Sequence, residues 1–274
     1  MNLHSLDQIT AAHPRAERQP VVFIGHGSPM NIVRDNAFTR SLAELGARHG
    51  RPEAVLVVSA HWLTRNETRV SVNPAPPTIH DFGGFPDALY HIRYNAPGSP
   101  DAARDAAAGV KSIKVHEDHE MGLDHGAWAV LRHIWPEAGV PVFQMSVDYA
   151  KPPAFHFTLG QELRRLRDRG VLILGSGNIV HNLRRLSPDE NDPHPMDWAM
   201  EFDAWARQKL LDGDHAALAS YAAQGPGARL AVPTSDHYLP MLYTLGALDA
   251  KEAVRFTHES FQHASISMRC FESS

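Results

Sequence analysis

The chain has 274 residues, 43% of them hydrophobic and 21% charged, with a formal net charge of −5. That balance excludes a disordered chain and offers no basic run for nucleic acid. The single cysteine, Cys270, excludes a disulfide framework and a cysteine-rich zinc module, whereas 18 histidines are present, so a metal site here would use imidazole and carboxylate ligands.

In chain order, residues 1–20 read as an N-terminal leader or an outer helix, and 21–274 as one domain with no composition break, repeat or low-complexity segment. The first twenty residues lack the apolar core of a signal peptide, and no apolar run reaches the roughly 18 residues of a membrane span. A cytoplasmic protein is therefore expected. Val21-Val22-Phe23-Ile24-Gly25 reads as a buried strand, broken by His26 between two glycines. Phe38 to His49 has the spacing of an amphipathic helix ended by Gly50. A second strand is expected at 54–60, running into His61-Trp62, and an exposed strand at 64–72.

Residues 73–100 form a long loop rich in Pro, Gly and aromatics, a pattern more typical of a lid or binding loop than of a plain connection. The aromatics Phe82, Phe85, Tyr90 and Tyr94 suit either the core or the wall of a pocket for a flat ligand. Ser99-Pro100 starts a helix over 99–110. Residues 113–124 are a polar segment, and His125-Gly126-Ala127-Trp128 opens a helix to about Trp135. A strand is expected at 140–147 and a basic-faced helix at 153–168. The strand 171–177 passes through Gly-Ser-Gly to a helix start at His181, and a Pro-Asp-Asn loop covers 187–195. Helices follow at about 196–211 and 214–223. A loop at 232–240 enters a helix ending near Gly246, and short strands at 253–257 and 264–269 finish the chain. Strands alternating with helices predict an α/β fold, a mainly parallel central sheet with helices on both faces.

Three apolar strands thus deliver His26, His61 and His181 at or just past their ends, where open α/β sheets place ligands. His237 sits in a Ser-Asp-His-Tyr loop. We read these histidines as a metal site gathered from distant parts of one sheet, with His125 as a further candidate. No pair has a short ligand spacing, so the alternative of hydrogen-bonded loop histidines stands for each one singly. His80, His91, His116, His119, His133, His156, His258 and His263 read as solvated or structural. Gly175-Ser176-Gly177 lacks the rest of a dinucleotide fingerprint, and no G-x-S-x-G elbow occurs.

Seven strings carry a family resemblance: Gly25-His26-Gly27-Ser28-Pro29, Ser59-Ala60-His61-Trp62, His80-Asp81-Phe82-Gly83-Gly84-Phe85-Pro86, Tyr94-Asn95-Ala96-Pro97-Gly98, Gly122-Leu123-Asp124-His125-Gly126-Ala127-Trp128, Gly175-Ser176-Gly177-Asn178-Ile179-Val180-His181-Asn182 and Asp236-His237-Tyr238-Leu239-Pro240. Together they resemble the 4,5-DOPA extradiol dioxygenase family. That family is the bacterial and plant branch of the class III extradiol ring-cleaving dioxygenases, in the LigB superfamily. The resemblance implies a single LigB-like catalytic domain over 21–274 and a mononuclear non-haem metal at the carboxyl ends of the strands. It also implies insertion of O2 into a catechol such as 4,5-DOPA, next to the hydroxyls.

Carried over by position, the resemblance makes His26, His61 and His237 metal ligands, His237 standing where the wider superfamily has a glutamate. It makes His181 the acid/base and a possible fourth ligand, and His125 a second pocket histidine that orients substrate or O2. Fe(II) is the metal expected for turnover, while the Irving–Williams order favours Zn(II) in purified protein. The alternatives are a zinc-dependent hydrolase of a small amide or ester on the same histidines, and a non-catalytic binding protein. The expected partners are the small aromatic catechol and O2, with no nucleic acid and no membrane. The catechol, the cleavage position and the oligomeric state are not legible at this level.

Overall fold

The computed structural model describes residues 17–224 and 226–274. The leader or outer helix expected at 1–20 therefore lies mostly outside the described residues. Of its last residues, Gln19 donates its backbone N–H to the Arg167 carbonyl at 3.1 Å.

The strand runs are β1 (Val21–Gly25), β2 (Ala54–Thr64), β3 (Thr68–Ser71), β4 (Val115–Asp118), β5 (Val142–Asp148), β6 (Val171–Gly177), β7 (Val254–His258), β8 (Phe261–Gln262), β9 (Ile266–Ser267) and β10 (Cys270–Ser273). Eight of them form one sheet in the order β4-β3-β5-β2-β6-β1-β10-β7, and β8 pairs with β9 in a small hairpin. The centre, β5-β2-β6-β1, is parallel. β10 and β7 are added antiparallel at one edge, and the parallel β3-β4 pair joins antiparallel to β5 at the other.

The helices are α1 (Ala37–His49), α2 (Pro100–Gly109), α3 (His125–Ile134), α4 (Pro153–Leu163), α5 (Asp197–Leu211), α6 (His215–Ala219), α7 (Pro226–Ala231) and α8 (Leu239–Gly246). They cover both faces, so the central strands carry apolar side chains on both sides. Along β1, Val21 and Phe23 enter one core while Val22 and Ile24 enter the other. The first core packs against α2, α4, α5 and α8 through Ala103, Leu159, Phe202 and Leu242. The second packs against α1 and α3 through Leu42, Leu45, Trp128 and Leu131. Each fully buried Leu or Val contributes about 2 kcal/mol of transfer free energy. Cys270 is buried, and burial pushes its thiol up to about 12, which leaves it a core residue without reactivity. Among the described residues no helix is long and apolar enough to cross a membrane.

Several expectations shift. The strand expected at 54–60 continues to Thr64, with a register shift against β5 between Val58 and Leu63, so His61 lies inside the strand. The strand within 64–72 is not exposed: β3 lies between β4 and β5 in the sheet, and its Thr68, Val70 and Ser71 are buried. The polar segment 113–124 contains β4, an edge strand whose charged residues face water. The helix expected over 153–168 ends at Leu163 and continues as a 3-10 turn, Arg164–Arg169. No helix starts at His181. Its N–H is taken by the Ala231 carbonyl at 2.8 Å, and Asn182 donates its side-chain amide to the Leu230 carbonyl. The end of α7, a helix not expected from the sequence, thus holds His181 and Asn182, and only a 3-10 turn, Leu183–Arg185, follows, with Asn182 as its cap. The strand expected at 264–269 is reduced to the two residues of β9, and β10 begins beyond it at Cys270.

Candidate metal centre and its pocket

The carboxyl ends of β1, β2 and β6 meet at one edge of the sheet, and each does a separate job. β1 ends at Gly25, where a Cβ would lie 2.9 Å from two backbone carbonyl oxygens, so His26 leaves the strand against tightly packed chain. Gly27 then turns in the left-handed region, φ 61°, where a side chain would collide with Gln262 and Met268. β2 carries His61 at its irregular stretch. β6 ends at Gly177, where a Cβ would lie 2.1 Å from the His237 carbonyl. This bare backbone lets the 232–238 loop dock, with Asn178 N–H bonded to that same carbonyl at 2.8 Å.

His26, His61 and His237 offer ring nitrogens that all lie within 4.8 Å of one another. The tautomers follow from their surroundings. The Ser176 hydroxyl donates to the Gly126 carbonyl, so its oxygen accepts from His26 Nδ1 at 2.9 Å. His237 Nδ1 meets the Asp236 carboxylate, and His61 Nδ1 lies 3.3 Å from Asp81 Oδ2. Each Nδ1 therefore carries a proton, which leaves Nε2 as the nitrogen available to a metal. His26 and His61 bring their Nε2 atoms to 3.2 Å, an approach with no proton between the two. A cation satisfies that arrangement. Burial, reinforced by the neighbouring imidazoles, holds His26 and His61 well below the usual histidine range, so both are neutral and fit to bind a metal.

His181 stands outside the converging set. Its ring stacks face to face on His237, with centroids 3.6 Å apart and planes 7° apart. Burial, with His237 beside it, holds it down at about 3. His125 opens α3 and is 6% exposed, its ring 4.0 Å from that of His61. Its Nδ1 lies 2.9 Å from Asp81 Oδ2 and its backbone N–H 2.8 Å from Asp81 Oδ1. His61, Asp81 and His125 thus form a second close cluster. Hydrogen bonds account for it fully, because both ring Nδ1 atoms face the one carboxylate. Burial pushes the Asp81 carboxyl up, but the hydrogen bond and charge of His125, with His61, outweigh it and hold it at about 2.

Below this layer, Asp124 caps α3 by accepting from Ala127 N–H and receives the Ser59 hydroxyl at 2.6 Å, while Ser59 in turn accepts the His61 N–H. Burial pushes Asp124 up to about 6. Gly126 is pressed onto β2, where a Cβ would lie 2.5 Å from Ser59 Oγ.

Above the histidines lies a cavity of about 460 Å³. Its floor is His26, His61, His125, His181 and His237, and its sides include Phe82, Phe85, Leu183, Leu186 and Ile266. The aromatic loop divides. Phe82 stands edge-on to His125 at 5.4 Å and to Phe85 at 5.6 Å, with Tyr90 behind it at 5.1 Å. Tyr94 belongs to the core: it is 2% exposed and donates to the Trp135 carbonyl. His263, read from the sequence as solvated or structural, lines the cavity mouth on a hairpin turn with φ 50° and bonds the Ser187 carbonyl.

The structure therefore gathers all five histidines singled out in the sequence. Sequence reasoning missed the groups that orient them: Asp81, Asp236 and Ser176. For Asp236 a signal existed, since it directly precedes His237 and metal-binding imidazoles need an acceptor for their other nitrogen, whereas the sequence neighbour of Asp81 is His80 and not the His125 and His61 that it faces.

Comparison with known proteins follows the same lines. The family described as "Catalytic LigB subunit of aromatic ring-opening dioxygenase" matches residues 19–269. The chain is 45% identical over 255 residues to the "4,5-DOPA dioxygenase extradiol" of Escherichia coli (strain K12), covering 92% of this chain and 93% of that protein. It is 37% identical over 251 residues to the protein of the same name from Beta vulgaris, covering 89% and 92% respectively. A crystal structure of an uncharacterized protein from Escherichia coli K12 superposes with a TM-score of 0.82 at 38% identity, over 94% of this chain and 100% of that one.

Proposed function

Because this chain belongs to the LigB family, the catalytic subunits of aromatic ring-opening dioxygenases, we propose that it opens a catechol of the 4,5-DOPA type on the three-histidine centre. The chain is an extradiol dioxygenase; the substrate, the metal and the roles of single residues are our reading. The observation that carries it is the convergence of one ring nitrogen each from His26, His61 and His237 at the floor of a cavity walled by Phe82 and Phe85.

His26, His61 and His237 would hold the metal, Fe(II) for turnover and Zn(II) as the ion expected after purification. The fit rests on the donors: three imidazoles, each with Nδ1 already facing an oxygen. Bound there, ferrous iron supplies Lewis acidity toward the catechol hydroxyls and redox chemistry toward O2.

The remaining residues handle the substrate. Phe82 and Phe85 offer their rings to the catechol, while Leu183, Leu186 and Ile266 keep the cavity apolar and help exclude water. His181 accepts the catechol proton on a ring nitrogen. It starts neutral, since burial and the neighbouring His237 outweigh the pull of the Asp236 charge toward protonation. A positioned imidazole can take a proton and return it later in the reaction. His125 faces the same cavity from the start of α3 and contacts the substrate. Catechol, O2 and a metal are the only partners this reading needs.

The test is oxygen consumption by metal-free protein reconstituted anaerobically with Fe(II) and then given O2 and L-DOPA or simpler catechols. Iron-dependent uptake with a yellow ring-opened product supports the reading. One equivalent of bound iron with no uptake on any catechol would move the assignment to the zinc hydrolase.

A further inference from the structure

The first turn of α3 is clasped by the loop that carries the aromatic wall. His125 and Trp128 are three residues apart, so they share one face of the helix. Trp128 Nε1 donates to the Ile79 carbonyl at 2.8 Å. Ile79 N–H donates to the Leu123 carbonyl, and Leu123 N–H to that of Pro77, both at 2.8 Å. These bonds deliver Asp81 to the start of α3, where both its oxygens are used. Oδ1 accepts the His125 backbone N–H and Oδ2 the His125 ring. The next residue, Phe82, is the wall itself, edge-on to the same ring.

A carboxylate can only accept, so the ring nitrogen facing it must hold the proton. His125 Nδ1 is thereby the donor, and the free edge of the ring that lines the cavity presents Nε2 as an acceptor. His181 differs, because among the described residues its ring nitrogens make no hydrogen bond and its face is spent on His237. His263, at the cavity mouth, spends its Nδ1 on the Ser187 carbonyl, so of the two floor histidines outside the converging three, only His125 has, among the described residues, a tautomer fixed by a hydrogen bond.

We propose that Asp81 is a positioning residue that locks His125 with Nε2 as an acceptor toward a catechol hydroxyl, and that ties this alignment to the position of the Phe82 wall. The proposal rests on the dioxygenase reading for the identity of the hydroxyl. Asp81→Asn keeps the size but places an N–H₂ on one side. Either the ring or the backbone bond then loses its acceptor. The Trp128 and Leu123 bonds remain to hold the loop, so the variant keeps its fold.

The test uses zinc-loaded full-length protein, ¹⁵N-labelled on histidine, with His125→Gln assigning the His125 signals. In wild type the His125 ring gives a protonated Nδ1 and an unprotonated Nε2. In Asp81→Asn this becomes a mixture of tautomers, and in Asp81→Glu it is largely restored. Anaerobic binding of 4-nitrocatechol, whose colour follows its ionisation, is the second readout: Asp81→Asn shifts the bound spectrum toward the un-ionised form. With Fe(II) at full occupancy, kcat falls about 10- to 100-fold while KM moves less than about threefold.

Unchanged ring signals with wild-type kcat overturn the proposal. Unchanged ring signals with loss of metal also overturn it, since they place the work of Asp81 at His61. A wild-type protein that opens no catechol would instead refute the dioxygenase reading, and the ring signals would still decide the tautomer.

Discussion

His26 and His61 face each other at 3.2 Å through two ring nitrogens that both carry lone pairs. Without an ion between them the contact is repulsive, and the enclosed position of His26 keeps it from gaining a proton as a remedy. The metal-free protein is therefore the less stable form. Metal at about a hundred times its dissociation constant should add about 2.7 kcal/mol, which raises Tm by about 5 °C in a chain of this length. His26→Ala or His61→Ala should abolish both the bound metal and the metal-dependent rise. Metal analysis and thermal melts with and without chelator check this; an equal rise in His61→Ala would refute the ligand set.

His181 lies parallel to His237 and outside the cluster of converging nitrogens. His181→Ala should therefore keep metal at wild-type stoichiometry and lose turnover by about 10²- to 10⁴-fold, the usual range for removing a proton-transfer group. Metal analysis beside oxygen uptake separates this from His237→Ala, which should lose both. A His181→Ala protein short of metal would make His181 a ligand.

The parts of this design that were legible are those that depend on local pattern. β1 and β6 open on apolar runs because they are buried on both faces, and their glycine-rich ends, with a histidine at once after β1 and four residues after β6, mark the functional edge. β4 was not legible, since Val115-His116-Glu117-Asp118 is a half-exposed edge strand with no buried face to enforce a pattern. β8 and β9 have two residues each, too short for any period. The five histidines could be singled out one at a time, but what makes them a site is the set of acceptors behind them. Asp81 reaches His125 across 44 positions, and Ser176 reaches His26 across 150. Such pairings come from the packing of loop on helix and strand on strand, which a reading of neighbours along the chain does not contain.

Phe82 touches the His125 ring and is backed by Phe85 and Tyr90. Removing its ring opens the cavity wall without altering any nitrogen of the centre. Phe82→Ala should raise KM for the catechol about tenfold through lost apolar contact, and lower kcat by a smaller factor as the ring settles less accurately over His125. Steady-state kinetics across a catechol panel test it. Unchanged KM for every catechol would take Phe82 out of the substrate wall.

Glu272 offers a pH prediction away from the centre. Its side chain is 1% exposed on β10 and meets Arg48, His49 and Arg255. Burial pushes its carboxyl up, but the hydrogen bonds from His49 and Arg255 outweigh this and hold it at about 2, below its ordinary 4.5. A carboxyl depressed in the folded state stabilises the fold above the unfolded value, and the contribution is lost as pH falls toward the folded one. The window is thus from about 4.5 down to about 2. With its cationic partners partly in water, the contribution is discounted to about 2 kcal/mol. Glu272→Gln should lower stability at pH 7 by that order and flatten the acid limb between pH 4.5 and 2. Urea melts of the metal-free protein at a series of pH values measure it, because metal loss in acid then plays no part. Equal acid limbs in wild type and Glu272→Gln would mean that the ion pairs to β10 carry no net stability.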